Sequence, residues 1–232
     1  MINILQLAAG KGSRFSDHTS VHKPFIQVDG MPMFQRSYES VGLPDARYHI
    51  LFQQEHIGIY NPQRYVEHAQ LHTIDHFTNG AATSAFHVIN NSEYKHEPWL
   101  IIDCDTILDW DHNINAFEDD ANAIFVQHVS EWDTKSSYSS IDYRGYIVAV
   151  AEKQPISDYR NSGHYYWRTG NVFVDAYNYY KDNDLHVLNE FYLAPLYNAA
   201  VKCGEKVRPV MLKNYIPIGT PVDLERYNQN GT

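Results

Sequence analysis

The sequence predicts an α/β fold with a mostly parallel central sheet flanked by helices. Three observations point to it. Strand-like apolar runs alternate with helical patterns through the first half of the chain, the order that builds parallel sheets. The first apolar run, residues 2–7, flows directly into a glycine loop, Ala8-Ala9-Gly10-Lys11-Gly12-Ser13-Arg14. The strongest buried run, residues 99–102, stops at Asp103-Cys104-Asp105. Parallel sheets bind ligands beyond the carboxyl ends of their strands, where both of these segments fall.

Taken in order, residues 2–7 predict a buried first strand. Residues 25–28 read as a short extended segment, and Asp29-Gly30 as a turn. Residues 32–40 open a helix with Pro32 in its first turn. A second strand is expected at 48–52, a helix at 60–70 and a third strand at 71–77, ending at Thr78-Asn79-Gly80. The small residues that begin 81–89 predict a helix packed closely on the sheet. Residues 99–102 and 123–128 are further strands. The second half is less regular. Tyr143-Arg144-Gly145-Tyr146 predicts a hairpin turn inside 139–151. Residues 161–173 are rich in Gly, Tyr and Trp, and 172–180 read as strand, then helix. Leu193, Leu196, Ala200 and Val201 give 190–203 a helical spacing. A last strand is expected at 207–212. Thr220 is placed as the N-cap of a C-terminal helix that ends near Tyr227, with 228–232 as a polar tail. No repeat, low-complexity tract or linker divides the chain, so 1–232 reads as a single domain with a small appended lobe.

Composition narrows the function. The chain has 232 residues, enough for one sizeable core, and a formal net charge of -10. That charge argues against non-specific nucleic-acid binding. An acidic protein that binds a polyphosphate must concentrate its cations locally or recruit a metal. The two cysteines, Cys104 and Cys203, lack metal-ligand spacing and read as free buried thiols in a reducing compartment. No basic leader precedes the first run, and no stretch approaches a membrane span, so a soluble, cytoplasmic protein is expected. None of the thirteen histidines has a neighbour pattern that favours a metal site. The aromatics Trp132, Tyr138, Tyr165, Tyr166 and Trp167 could wall a cationic ligand or form ordinary lobe core.

The glycine loop predicts phosphate binding. Gly10 and Gly12 permit backbone angles that bring main-chain N–H groups close to a ligand. Arg14 adds a guanidinium that grips phosphate oxygens in two places, and Lys23, before Pro24, adds a second cation. The loop is neither of the two common nucleotide loops. A Walker loop requires Gly-x-x-x-x-Gly-Lys-Ser/Thr, and the third glycine of a dinucleotide fingerprint is replaced here by Phe15. Asp103 and Asp105 offer hard oxygens that suit Mg²⁺, which would stabilise charge on a leaving pyrophosphate. Asp103 either orients Asp105 or caps a turn. Asp109, Asp111, Asp119 and Asp120 are expected to face solvent.

Together these segments resemble the nucleotidyltransferase family that activates phosphorylated sugars and similar small phosphates. The resemblance starts at Leu7-Ala8-Ala9-Gly10-Lys11-Gly12-Ser13-Arg14-Phe15 and continues through Lys23-Pro24-Phe25-Ile26-Gln27-Val28-Asp29-Gly30. It resumes at Asn79-Gly80-Ala81-Ala82-Thr83, Asp103-Cys104-Asp105, Glu152-Lys153-Gln154-Pro155 and Asn189-Glu190-Phe191-Tyr192, and closes at Ile218-Gly219-Thr220-Pro221. The Glu-Lys and Glu-Phe-Tyr segments are most similar to a compact branch of cytidylyltransferases that act on phosphorylated acceptors such as phosphoglutamine.

The resemblance implies a Rossmann-like GT-A nucleotidyltransferase fold with a small acceptor-side lobe. It implies transfer of an NMP, CMP by preference, from an NTP to a phosphorylated small molecule. By the family pattern Arg14 holds the β- and γ-phosphates, and Lys23 reaches the α-phosphate or the acceptor phosphate. Leu7, Ala8, Ala9, Gly10, Lys11 and Gly12 cradle the nucleotide, Gly80 and Ala81 line its base, and Gln53 or Gln54 reads it. Asp105, with Asp103, binds Mg²⁺. Glu152, Lys153 and Glu190 fall on the acceptor side. Two positions depart from the pattern: His22 stands where many relatives have Pro, and Pro217 stands where many carry a second metal-binding carboxylate. A metal-dependent GT-A glycosyltransferase and a nucleotide-binding relative without activity are the rival readings. The triphosphate loop at Leu7–Arg14 disfavours the first, and Pro217 keeps the second open.

Overall fold

The computed structural model describes residues 1–111, 117 and 120–230. The chain opens with β1 (Asn3–Leu7) and passes through short 3-10 turns at Ser13–Phe15 and Lys23–Phe25 to a small hairpin, β2 (Gln27–Val28) and β3 (Met31–Pro32). Then follow α1 (Met33–Val41), β4 (Arg47–Gln53), α2 (Gln54–Tyr60), β5 (Gln70–Ile74), α3 (Ala81–Ile89), β6 (Trp99–Asp103) and β7 (Thr106–Asp109). The second half comprises β8 (Ala121–His128), β9 (Ser137–Ile141), β10 (Ile147–Glu152), β11 (Tyr159–Trp167), α4 (Gly170–Asp182), α5 (Leu196–Lys202), β12 (Lys206–Met211), β13 (Asn214–Pro217) and α6 (Pro221–Asn230).

Among the described residues nine strands form one sheet in the order β10-β9-β11-β6-β1-β4-β5, with β8 joining β11 to β12. The centre, β6-β1-β4-β5, is parallel throughout. β11 runs antiparallel beside β6 and carries the sheet into the second half. Leu7 lies level with Leu51 on one side and Asp103 on the other, so the carboxyl ends of β1, β4 and β6 open along one edge. β7 and β13 pair as a separate antiparallel ribbon.

Both faces of the centre are buried, which is why its strands read as continuous apolar runs. Successive residues alternate between faces. Leu5 and Ile101 point into a core with Ala82, Ala85, Trp167 and Tyr197. Ile4, Ile50 and Leu100 point into the opposite core with Phe34, Phe52 and Phe125. Ala82 and Ala85 keep α3 close to the sheet. The buried amide of Gln6 donates to the Phe34 carbonyl at 2.9 Å and accepts from the Tyr48 hydroxyl. This satisfies its polar atoms without water.

Several local expectations change. The helix expected at 60–70 is displaced to α2, because Asn61 turns left-handed (φ 46) and Pro62 cannot continue the ladder. Residues 172–180 contain no strand: α4 starts earlier, with Thr169 accepting from the Val172 amide as N-cap. Within 190–203 only α5 is helical, and Pro195 sets its start. Pro32 caps α1 rather than entering it. Residues 228–230 continue α6, and 231–232 lie outside the described residues. Thr220 does cap that helix, accepting from the Asp223 amide at 3.1 Å. Both cysteines are free, but Cys203 is exposed while Cys104 is buried. Tyr138, Tyr165, Tyr166 and Trp167 are buried and Trp132 is exposed. Asp109 and Asp120 are exposed, Asp111 is half-buried, and Asp119 lies outside the described residues. Among the described residues no helix is long and apolar enough to cross a membrane.

Candidate active site

The glycine loop is pinned at both ends. At its start the Ala8 amide donates to the Leu51 carbonyl at 2.9 Å. At its end Gly12 is left-handed (φ 63) and starts the 3-10 turn that carries Arg14. Phe15 anchors that turn in a small apolar cluster with Val28, Met33, Ile107 and Ile218. A Cβ at Gly12 would lie 2.9 Å from the Cβ of Lys23, so glycine here lets the two cation-bearing segments touch.

These segments wall a cleft of about 450 Å³. Leu7, Ala9, Gly10, Lys11, Gly12, Arg14 and Lys23 line one side, and Thr78, Gly80, Ala81 and Ser84 another. Glu190 and Gly219 complete it. Gly80 has φ 106, and a Cβ there would meet the Phe191 carbonyl oxygen at 2.5 Å. The Phe191 amide donates to Asn79, and its carbonyl accepts from the Ala82 amide at 3.0 Å. This backbone clasp brings Glu190, which the resemblance put on the acceptor side, to the cleft of the glycine loop. Ala8 is fully buried behind the loop and does not line the cleft. Gln53 is also spent structurally. It is buried, and its Nε2 donates to the Ala9 carbonyl at 2.8 Å. It supports the loop from below, so base reading by Gln53 does not fit this geometry. Gln54 is exposed on the first turn of α2.

A second pocket of about 340 Å³ adjoins the first, and Arg14 and Ala81 line both. Asp103, Glu152, Asn161, Tyr165 and Tyr192 face it, with Lys135, Ser136 and Ser137 at its side. Lys153 does not line it. Its backbone is left-handed (φ 57), and its Nζ donates to the Tyr192 hydroxyl at 2.5 Å. Lys153 therefore touches the lining of this pocket through Tyr192. Tyr192 belongs to the Glu190-Phe191-Tyr192 segment of the resemblance, whereas Ser137 and Asn161 come from two other segments that no signal in the sequence singles out.

Asp103 lines the second pocket, and Asp105 lies against Gly219 of the first. Lys23 donates to Asp105 in a close ion pair, each side chain about one-fifth exposed (19% and 18%). Burial works against both charges, yet the pairing prevails: Asp105 is held below the usual carboxylate range and Lys23 above the usual ammonium range. Asp103 is pushed up to about 7 by burial and then by the Asp105 carboxylate, with Lys23 offsetting only part of this. Glu152 is pushed up to about 7 by burial, with Glu190 adding to the shift and Lys153 opposing it. Both aspartates lean over glycines. A Cβ at Gly163 would lie 2.2 Å from Asp103 Oδ2, and one at Gly219 would lie 2.2 Å from Asp105 Oδ2. Gly163 has φ 85, and the β11–β8 register shifts between Asn161 and Tyr165 around it. The carboxylate pair offers hard oxygen donors, and Asp103 and Asp105 set two carboxylates against the Lys23 ammonium. That donor set fits a divalent cation of the Mg²⁺ type.

This arrangement can hold a polyphosphate against two cations and the loop amides, with a second ligand across the Arg14–Ala81 seam. The profile of the MobA-like NTP transferase domain matches residues 4–196. A search of curated proteins returns no match. Among solved structures, a nucleoside-diphosphate-sugar pyrophosphorylase from Vibrio cholerae superposes with a TM-score of 0.86 at 17% identity, covering 99% of this chain and 100% of that one. The inositol-1-phosphate CTP transferase from T. maritima gives 0.75 at 16% identity, covering 99% and 97%. The CTP:phosphocholine cytidylyltransferase from Streptococcus pneumoniae gives 0.76 at 16% identity, covering 100% and 99%. At these identities the neighbours establish the fold, and the profile establishes the family: the chain belongs to the MobA-like NTP transferase domain family and is a nucleotidyltransferase.

Proposed function

We propose that the chain transfers CMP from CTP to a phosphorylated small molecule, a sugar or polyol phosphate or a similar non-sugar phosphate, and releases pyrophosphate. One observation carries this: the cleft with the glycine loop, Arg14 and Lys23 opens into a second polar pocket across a wall the two share. The triphosphate occupies the first, and the acceptor phosphate enters from the second. An acceptor phosphate oxygen attacks the α-phosphorus; the bond from that phosphorus to the bridging oxygen breaks, and pyrophosphate leaves with the electron pair. Loop amides and Arg14 hold the β- and γ-phosphates. Lys23, fixed by Asp105, neutralises charge at the α-phosphate. Asp103 and Asp105 would hold Mg²⁺, which supplies further neutralisation of the phosphate oxygens. The acceptor is already a nucleophile at neutral pH, so positioning and electrostatics suffice without a covalent intermediate. CTP is favoured by the resemblance of the Glu152-Lys153 and Glu190-Phe191-Tyr192 segments, and two structural neighbours are described as CTP-using. The glycosyltransferase reading loses to the same loop, which is built for three phosphates.

Pyrophosphate release measured with CTP, UTP, TTP, ATP and GTP, with Mg²⁺, against hexose 1-phosphates, inositol 1-phosphate, phosphocholine and phosphorylated amino-acid derivatives tests this. Release with CTP and one acceptor is expected. Release with a different NTP would overturn the base assignment alone. No release from any pair, together with no thermal stabilisation by any nucleotide, would overturn the transferase reading.

A further inference from the structure

Away from the two aspartates, the fold brings together three metal-ligating side chains that are dispersed in sequence. His22 stands immediately before Lys23 and caps its 3-10 turn. Glu55 and His56 lie in the first turn of α2. One ligand atom from each of the three lies within 4.8 Å of the other two. This differs from the expectation that no histidine joins a metal site. Only Glu55-His56 is local, and the sequence gives no sign that His22 folds against it.

Three features distinguish this cluster from a chance surface grouping. His56 is 1% exposed, and its Nδ1 is fully buried with no hydrogen-bond partner among the described residues. Its Nε2 faces Glu55 Oε1 at 4.0 Å, too far for a hydrogen bond. Buried imidazole nitrogens are normally satisfied, so the unpartnered Nδ1 leaves this ring short of a bond, and Nε2 has no hydrogen bond to Glu55. The His22 ring lies over it with centroids 4.2 Å apart, while Phe25 and Tyr60 wall the other sides. The Tyr60 hydroxyl accepts from the His22 amide at 3.0 Å and fixes the approach of that residue.

We propose that His22, Glu55 and His56 form a second metal site, for a zinc-class divalent ion, separate from the Asp103–Asp105 pair. Two imidazoles and one carboxylate suit a borderline ion such as Zn²⁺, with water in the fourth position, better than they suit Mg²⁺. Bonds of about 2.0–2.2 Å in a tetrahedron set ligand atoms roughly 3.4 Å apart. Closing from the observed spacing of up to 4.8 Å calls for movement of exposed Glu55 and half-buried His22 toward the buried His56. A bound ion would tie the backbone that leads into Lys23 to α2. It thereby acts on the position of Lys23 without touching the nucleotide.

The test uses the full chain in buffer containing millimolar Mg²⁺. Zn²⁺ binding is followed by calorimetry, and Co²⁺ binding by visible absorption, which reports tetrahedral coordination. One ion per chain is expected, with a tetrahedral Co²⁺ spectrum. His22→Ala and Glu55→Ala should each weaken binding by roughly tenfold or more, whereas Asp105→Asn should not. Glu55 is exposed and His22 half-buried, so circular dichroism should show intact folds for both variants. Absence of stoichiometric Zn²⁺ binding, or any other pattern across the three variants, overturns the proposal.

Discussion

Gly219 lies so close to Asp105 that a Cβ there would fall 2.2 Å from the carboxylate Oδ2. Its φ is not in the left-handed region, so alanine suits the backbone and only the methyl collides. Gly219→Ala should therefore fold yet push Asp105 away from Lys23. Turnover is expected to fall about 100-fold, the usual result of an ångström-scale misplacement. Steady-state kinetics with a thermal melt checks this: normal turnover would mean that the Asp105 position is not needed.

The Lys23–Asp105 pair is itself a stability element. Removing one partner leaves a charge that is mostly buried and unpaired. Lys23→Met or Asp105→Asn alone should each cost about 1–3 kcal/mol, less than a fully buried pair because solvent reaches both groups. The double variant should cost less than the sum of the two. Urea denaturation in a double-mutant cycle measures this coupling. Strict additivity would mean that the two side chains act independently.

Glu152 gives a pH signature. In the folded chain its carboxyl is raised from 4.5 to about 7, chiefly by burial. Between those values the folded state keeps a proton that the unfolded state has lost, so Glu152 subtracts stability as pH rises from 4.5 to 7. Glu152→Gln stays neutral throughout. It should match the wild type near pH 4.5 and be more stable by about 1–3 kcal/mol at pH 7.5. A difference that does not change with pH would contradict the raised value.

Gln53 separates a supporting role from a reading one. Because its Nε2 holds the Ala9 carbonyl, Gln53→Ala should loosen the glycine loop for every nucleotide alike. KM should rise for all NTPs, with the preference among bases unchanged. A changed base preference would return Gln53 to the base.

What the sequence discloses and what it hides divide along physical lines. The buried runs of β1 and β6 and the Ala-rich start of α3 are local patterns, and the loops at the ends of those two strands follow from them. No α-helix forms across 60–70 because Asn61-Pro62 is a stop signal that outweighs the apolar spacing around it. Gln53 sits one strand from the glycine loop, and whether it faces ligand or backbone depends on burial that no spacing encodes. The same holds for Gly163 and Gly219, whose importance lies in the carboxylates above them and arises only when distant strands meet. Tyr192, Ser137 and Asn161 reach one pocket from separate segments, so only the assembled fold makes them neighbours.

Arg14 and Ala81 belong to both hollows. A ligand in the first that shifts Arg14 or Ala81 would alter the boundary of the second, and with it the free energy of filling it. Linkage makes that influence mutual: if the nucleotide tightens acceptor binding, the acceptor tightens nucleotide binding by the same factor. A shared partition of two residues thus offers a route for coupling the two chambers, and that coupling has the same size whichever ligand arrives first.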